Sequence, residues 1–430
     1  MNKIIGIRRE DKNEWERRVS LIPEHIRELK DKFDIHTIIQ PSEIRIFQKD
    51  EFQDNLAEVN EDLSSANPIF AVKEIPIKLL EENKTYIFFS HTIKGQDYNM
   101  PLLKRMMDLK CNLIDYERIV NEKNQRLIFF GKFAGLAGMI ETLVSYAEKL
   151  KKSGFDTPLS KIKQAYEYKS LDDAKTQIVE IGNEISESGL PPEIGPIVVG
   201  FAGYGNVSQG AQEIYDLLPN IEISPSQLLN NNLENDKLYK VVFKEEDMMQ
   251  PLEGEFVLQN YYNHPEKYTS IFENYLPKMQ VLVNCIYWTE DYPRLITKEY
   301  LHKNADSLNL SVIGDISCDI GGSVEITNKA TYPDNPCFTY NPSTKEFNDG
   351  SNLDGVTVMA VDNLPCEFSA EASTEFSDVL KNYVNDIIIA DFNKDYEELS
   401  LPHPIKKALI LHKGQLTKEY KYINEFIKTE

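Results

Sequence analysis

Short apolar runs alternate with amphipathic stretches along the first 130 residues, and this alternation restricts the fold more than any other feature. Ile4–Ile7, Ile35–Ile39, Ile69–Val72, Tyr86–Phe89, Leu113–Tyr116 and Leu127–Phe130 read as strands. Between them, Pro23 suits the first turn of a helix with Ile22, Ile26 and Leu29 on one face, and Pro101 opens another helix through Leu109. Strands alternating with helices predict a mostly parallel, doubly wound sheet. At ~150 residues per domain, 430 residues suggest two or three such units.

A second unit begins near Gly131. Its first helix, Phe133–Lys151, carries Gly135 and Gly138, which permit close packing or a hinge. Residues 152–190 are polar and mostly helical. The apolar run Ile197–Ala202 then leads into Gly203-Tyr-Gly-Asn-Val-Ser-Gln-Gly, after which Val207, Ala211, Ile214 and Leu218 fall at helical spacing. A dinucleotide loop requires this strand–loop–helix context. Gly203 permits the tight turn, and Gly205 lets backbone amides approach a pyrophosphate. Asn206 and Val207 open a helix whose N-terminus adds partial positive charge. The third position of the motif is Ser208, small enough for close packing and able to donate to a phosphate. A plain strand-to-helix turn is the competing reading.

The next strand is expected at Ile221–Ile223. An acid at its end would bind the ribose hydroxyls and repel a 2′-phosphate. Glu222 lies inside the strand and Ser224 ends it, so either NAD(H) or NADP(H) fits, with Ser224 tipping the expectation towards NADP(H). The polar stretch 224–250, with Asn230, Asn231 and Asn232, reads as a loop or insertion. From Asp362 the chain reads as helices that return to the first domain, and the tail 391–430 reads as surface helices. The expected architecture is therefore α/β, with two doubly wound (Rossmann-like) domains and an inter-domain cleft. Residues 1–131 with 361–430 form the substrate and catalytic domain, and residues 132–360 the dinucleotide-binding domain.

Charge and cysteine usage narrow the function classes. Lys and Arg total 47 against 69 Asp and Glu, a net charge of −22, which argues against nucleic acid or an anionic membrane as partner. The charged start, Met1–Lys12, lacks the apolar segment of a signal peptide. The most apolar long stretch, Leu127–Ala147, is broken by Lys132 and Glu141 and reads as a buried helix. Five scattered cysteines with no C-x-x-C pair argue against a zinc site or a disulfide framework, so no metal and a cytoplasmic location are expected.

Four of the predicted strands end in charged or reactive groups. Ile4–Ile7 runs into Arg8 and Arg9, and Ile69–Val72 ends at Lys73-Glu74. Tyr86–Phe89 ends at Ser90-His91-Thr92-Ile93-Lys94, and Leu113–Tyr116 ends at Glu117. In a parallel sheet these ends converge on the carboxyl edge, where open α/β sheets bind ligands. Desolvation would disfavour a lysine ammonium there, while Glu74 and Glu117 would push the other way. His91 can exchange protons near neutral pH. Taken singly, such a His is more often a hydrogen-bonded rim residue, and a Lys-Glu pair is usually a solvated edge. Catalysis becomes the competing reading only because four strand ends deliver these groups together.

Several segments are familiar as a set. They are Trp15-Glu-Arg-Arg-Val-Ser-Leu-Ile-Pro23, Val72-Lys-Glu-Ile-Pro76, Phe88-Phe-Ser-His-Thr-Ile-Lys94 and Phe130-Gly-Lys-Phe-Ala-Gly-Leu-Ala-Gly138. The glycine loop, Asp315-Ile-Ser-Cys-Asp-Ile-Gly-Gly-Ser323, Val361-Asp-Asn-Leu-Pro365 and Glu371-Ala-Ser373 extend the set to roughly residues 3–390. Together they resemble the lysine–2-oxoglutarate reductase half of the bifunctional aminoadipic semialdehyde synthases. They also resemble the L-lysine-forming saccharopine dehydrogenases, within the alanine dehydrogenase and transhydrogenase N-terminal superfamily.

The resemblance implies reductive condensation of L-lysine with 2-oxoglutarate to saccharopine by NAD(P)H. It implies Lys73 and His91 as the acid–base pair and Arg18 as the substrate-carboxylate arginine, with Lys94 adding charge for the dicarboxylate. Glu74 and Glu117 match carboxylates that tune the lysine, Arg126 and Phe130 match cleft-lining positions, and Asp362 matches a position near the nicotinamide. A bifunctional relative would continue into a second dehydrogenase. Here the glutamate-forming step is expected from a separate polypeptide, and a homodimer is left open. Two rivals stand beside this expectation: an alanine dehydrogenase-like amino-acid dehydrogenase, and a non-catalytic nucleotide-binding regulator.

Overall fold

The branched apolar runs become the strands of two sheets, and the amphipathic stretches pack as helices on their faces. The structure is a computed structural model that describes residues 3–427. The chain divides into two units, Met1–Phe130 with Ser369–Glu430, and Gly131–Phe368. Residues 361–368, expected in the first domain, belong to the second unit. Val361 bridges Thr331, and the buried turn Leu364–Phe368 packs on the long helix that opens that unit.

The first unit runs β1 (Ile4–Ile7), α1 (Pro23–Phe33), β2 (His36–Ile39), α2 (Lys49–Asp54), β3 (Ala57–Val59), β4 (Ile69–Phe70), β5 (Thr85–Phe88), α3 (Met100–Asp108) and β6 (Asn112–Asp115). Pro23 does open α1, whose inner face is Ile26 and Leu29. The helix stops at Asp34, which adopts a left-handed conformation with φ of 55°. Leu127–Phe130 forms no strand. Its apolar character serves side-chain burial instead, with Ile128 in the core and Phe130 in an aromatic cluster.

The second unit runs α4 (Gly131–Lys152), α5 (Leu171–Ser188), β7 (Ile197–Ala202), α6 (Asn206–Tyr215), β8 (Asn220–Glu222), α7 (Pro225–Asn230), β9 (Leu238–Phe243), α8 (Glu245–Met248), β10 (Met249–Pro251), α9 (Leu258–Asn263), β11 (Tyr268–Ser270), β12 (Val281–Asn284), α10 (Lys298–Lys303), β13 (Val312–Asp315), β14 (Cys337–Asn341), β15 (Glu346–Asp349) and β16 (Val356–Met359). The first unit is then completed by α11 (Ser369–Ile389), α12 (His403–Lys407), β17 (Leu409–His412) and β18 (Gln415–Leu416).

The first sheet has the order β18-β17-β6-β5-β4-β1-β2-β3, and strands β1 to β6 are mutually parallel. The second has the order β15-β14-β16-β13-β12-β7-β9-β8, and its six strands from β16 to β8 are mutually parallel. Each sheet is extended at one side by two antiparallel strands.

Two expectations change here. The stretch 224–250 is no insertion, because it supplies β9, which pairs with β7 along all six residues. Its middle residue, Lys240, is 6% exposed and is held by Asp216 and Glu222, each at 2.8 Å. A buried cation is tolerated when it is paired in this way. The tail is not only surface helix, because β17 lies beside β6 and all four of its residues are buried.

Glycine sets the closeness of α4 and α6. A Cβ at Gly135 would meet the Val207 carbonyl oxygen at 1.9 Å, and one at Gly210 would meet the Lys132 carbonyl oxygen at 2.2 Å. Among the described residues no helix is long and apolar enough to cross a membrane, and no cluster of three His, Cys, Asp or Glu is arranged to hold a metal.

Candidate active site

In the first unit β6, β5, β4 and β1 are neighbours and parallel, so their carboxyl ends lie along one edge. Arg8, Lys73-Glu74, Ser90-His91 and Glu117 follow these four strands within four residues of their ends. His91 and Glu74 are in direct contact, Nδ1 to Oε1, at 2.5 Å. Burial works to raise the Glu74 carboxyl, but the His91 bond and charge, with Lys12, hold it below the usual carboxylate range. Glu74 therefore stays ionised and accepts from Nδ1, which leaves Nε2 as the ring atom that can exchange a proton. His91 has a positive φ of 50°, and its ring stacks on Phe89 with centroids 6.2 Å apart. Strained backbone of this kind concentrates at functional sites.

Lys73 is half-buried, and its backbone is fixed by a residue that sequence reasoning passed over. Glu10 accepts the N–H of Val72 at 2.7 Å and that of Lys73 at 2.9 Å, one on each oxygen. Burial, aided by the Glu16 charge, pushes the Glu10 carboxyl up to about 7 against those two amide bonds and Arg8. Asp115 was also missed. It is fully buried, accepts the N–H and the hydroxyl of Ser90 and the N–H of Glu117, and its carboxyl is raised by burial. In sequence, Glu10 sits in a charged opening and Asp115 looks like an ordinary strand residue. Only an acid at the end of an apolar strand was there as a signal.

The remaining candidates have partners of their own. Arg18 is 3% exposed and forks onto Glu16, with Nε and a terminal nitrogen at 2.8 and 2.6 Å. Its guanidinium lies 4.1 Å from the centroid of the Phe130 ring, which stacks on Phe376 at 4.7 Å and 9°. Phe89 and Tyr116 complete this aromatic cluster. Glu117, expected beside the lysine, pairs with the exposed Arg126. Lys94 is exposed in the segment that follows β5.

The second unit offers backbone in place of side chains. Gly203 has φ of 95°, which only glycine adopts without strain, and its N–H donates to the Phe243 carbonyl at 3.0 Å. A Cβ at Gly205 would meet no protein atom within 4 Å, so the outer face of the loop is open. The N-cap of α6 is Gly205, which has no side chain to cap the helix, and the first turn opens with the exposed Asn206 and the half-buried Val207. These features fit the pyrophosphate of a dinucleotide. Ser208 is wholly buried, with its hydroxyl accepting from Gln212 at 2.9 Å, so it works in the helix packing behind the loop. Ser224 caps α7 by accepting the Gln227 N–H at 3.2 Å. Its strand, β8, lies at the sheet edge and not beside β7. Asp362 is exposed, and its N–H donates to Thr331 at 3.4 Å. At the ends of β12 and β13, Asn284 donates to Asp315 at 2.8 Å and Thr327 donates to it at 2.5 Å.

Comparison with known proteins decides the family. The N-terminal domain model of alanine dehydrogenase/PNT matches residues 6–137, and the C-terminal domain model of the same family matches residues 240–419. The chain belongs to the alanine dehydrogenase/PNT family. Within that family, it is 38% identical to an alpha-aminoadipic semialdehyde synthase of Arabidopsis thaliana, over 100% of this chain and 42% of the relative. It is 34% identical to the mitochondrial protein of that name from Mus musculus, over 98% of this chain and 48% of the relative. The chain thus spans about half the length of these curated relatives. A saccharopine dehydrogenase [NAD(+), L-lysine-forming] of Emericella nidulans is 25% identical over 80% of this chain and 81% of the relative. Among solved structures, an L-alanine dehydrogenase shares the family fold with a TM-score of 0.62 at 16% identity, covering 98% of this chain and 99% of the other.

Proposed function

We propose that the chain is a nicotinamide-dinucleotide-dependent reductase that joins the ε-amine of L-lysine to the ketone of 2-oxoglutarate and reduces the resulting imine to saccharopine. The observation that carries this reading is the strand-end cluster, in which the 2.5 Å His91–Glu74 pair stands one residue from Lys73. A relative named as an L-lysine-forming saccharopine dehydrogenase supports the choice of substrates.

The reaction needs proton transfers in both directions. The amine nitrogen must lose a proton to attack the ketone. The carbinolamine oxygen must gain protons to leave as water. The transfers run in opposite directions in successive steps, and two acid–base groups let each step find a group already in the right protonation state. Lys73 receives the proton from the amine nitrogen. His91 delivers its Nε2 proton to the oxygen, and Glu74 holds the imidazolium that exists before delivery. Glu10 fixes the backbone from which the Lys73 side chain departs. Arg18, oriented by Glu16 and Phe130, binds a substrate carboxylate, and Lys94 adds positive charge for the second one.

When bound, the reduced dinucleotide supplies the hydride that the imine carbon accepts. The amides of Gly205, Asn206 and Val207 would hold its pyrophosphate, reached by the turn at Gly203, with Asp362 near its nicotinamide end.

The decisive experiment follows oxidation of NADH and of NADPH with lysine plus 2-oxoglutarate, alongside pyruvate plus ammonia. Turnover with the first pair alone supports the proposal. Turnover with the second pair alone would replace it with an alanine dehydrogenase-like activity.

A further inference from the structure

We propose that Glu245, at the carboxyl end of β9, selects NAD(H) over NADP(H) by taking the adenosine ribose hydroxyls and repelling a 2′-phosphate. This inference rests on the dinucleotide reading of the glycine loop and deepens it.

In doubly wound sheets the discriminating residue stands at the end of the strand beside the glycine-loop strand. Chain order points to β8, the strand that follows α6, and hence to Ser224. Space points elsewhere. β8 pairs only with β9, and it is β9 that lies against β7 in register from Ile197 with Leu238 to Ala202 with Phe243. The Gly203 N–H bonds the Phe243 carbonyl at 3.0 Å, so the loop begins level with the end of β9. Glu245 is two residues further on. Ser224 is occupied as the cap of α7, and Glu222 is occupied with Lys240.

Glu245 is also held in place. It is half-buried, and the Tyr262 hydroxyl donates to its Oε1 at 2.6 Å. Tyr204, the residue between the two loop glycines, has its phenol raised by burial and by the Glu245 charge, with a hydrogen bond between them. The carboxylate is thus fixed beside the glycine loop. A carboxylate accepts two ribose hydroxyls, whereas a 2′-phosphate there would meet a like charge. Around it, Lys244 is outweighed by Glu246 and Asp247.

The test is equilibrium binding, read by fluorescence titration of the full chain with NADH and with NADPH and needing no turnover. The wild-type chain should bind NADH at least ~30-fold more tightly, the scale of a like-charge clash. Glu245→Arg should reverse that preference, and Glu245→Ser should shrink it to about threefold or less. Ser224→Ala should shift the ratio less than about twofold, since its hydroxyl faces its own helix. Equal or tighter binding of NADPH by the wild-type chain overturns the proposal, as does a ratio that follows Ser224 and ignores Glu245. If neither dinucleotide binds, the loop reading falls and this proposal falls with it. A kept NADH preference without turnover of lysine and 2-oxoglutarate would sink only the substrate assignment.

Discussion

In chain order the six parallel strands of the first sheet lie 6-5-4-1-2-3 across the sheet, while those of the second lie 6-5-4-1-3-2. Both sheets add an antiparallel pair beside the sixth strand, β17–β18 in one and β14–β15 in the other. One exchange of neighbours separates the two plans, and it relocates chemistry. In the first sheet the residues that follow each strand in sequence are also those that meet in space. In the second, the strand next in sequence is not the strand next in space, so the group facing the glycine loop comes from β9. The two edges also differ in material. The first presents side chains held by buried carboxylates, and the second presents backbone amides exposed by glycine.

The largest expected effect tests that division of labour. Lys73→Met and His91→Gln should each lower turnover by ~10²–10⁴, the range of general acid–base groups. Coenzyme dissociation constants should stay within about twofold, because these changes leave the second unit untouched. Steady-state kinetics paired with coenzyme titration checks both halves. Turnover near the wild-type rate in both variants would remove the two residues from the mechanism.

The edges also share a device that can be tested by pH. Asp115 and Asp315 are each the last residue of a parallel strand, each fully buried, and each bonded by a neighbouring hydroxyl. Burial raises the Asp315 carboxyl from 3.8 to about 6, against bonds from Thr327 and Asn284. The folded chain therefore binds this proton more tightly than the unfolded chain does. Its stabilising contribution is complete below the unfolded value and is lost as pH rises through about 6. Asp315→Asn should remove roughly 3 kcal/mol of that fall. Urea midpoints from about pH 4 to about pH 7 measure it, and parallel wild-type and variant curves would refute it.

Much of this was readable from sequence, and what was not has physical causes. β1, β7 and the start of α1 follow from short runs dominated by branched apolar residues and from Pro23, where local signals agree. β9 was hidden because Lys240 interrupts it, and only the tertiary partners Asp216 and Glu222 make a buried lysine tolerable there. β17 was hidden because its partner, β6, lies about 300 residues earlier in the chain. The strand-end groups were visible as a pattern, but their wiring was not. Glu74 answers to His91, Glu117 to Arg126, and Glu10 holds the Lys73 backbone. Pairing of that kind depends on distances between strands that no sequence spacing encodes.

A backbone change should separate the second edge from the first. At Gly203 the positive φ excludes a β-branched side chain, and a Cβ would also meet Ile286 at 3.2 Å. Gly203→Val should weaken coenzyme binding by about 10–100-fold, the cost of ~1–3 kcal/mol of local strain. Thermal melting should show the second unit still folded, and unchanged affinity would count against the loop.

The smallest effect asks whether the first edge relies on aromatic faces as well as charges. Phe130 is sandwiched, with Phe376 stacked on it at 4.7 Å and the Arg18 guanidinium 4.1 Å from its centroid. The ring face attracts the cation, an interaction of about 0.5–1 kcal/mol where water has access and more where it is excluded. Leucine would keep most of the apolar contact and lose that attraction, so Arg18 would lose one of the contacts that orient it. Phe130→Leu should therefore raise the KM for 2-oxoglutarate by about 3–5-fold while kcat holds, since a carboxylate clamp acts on ground state and transition state alike. A purely structural Phe130 would instead lower the melting temperature with KM unmoved. That outcome would confine the side-chain dependence of the first edge to its ionisable groups.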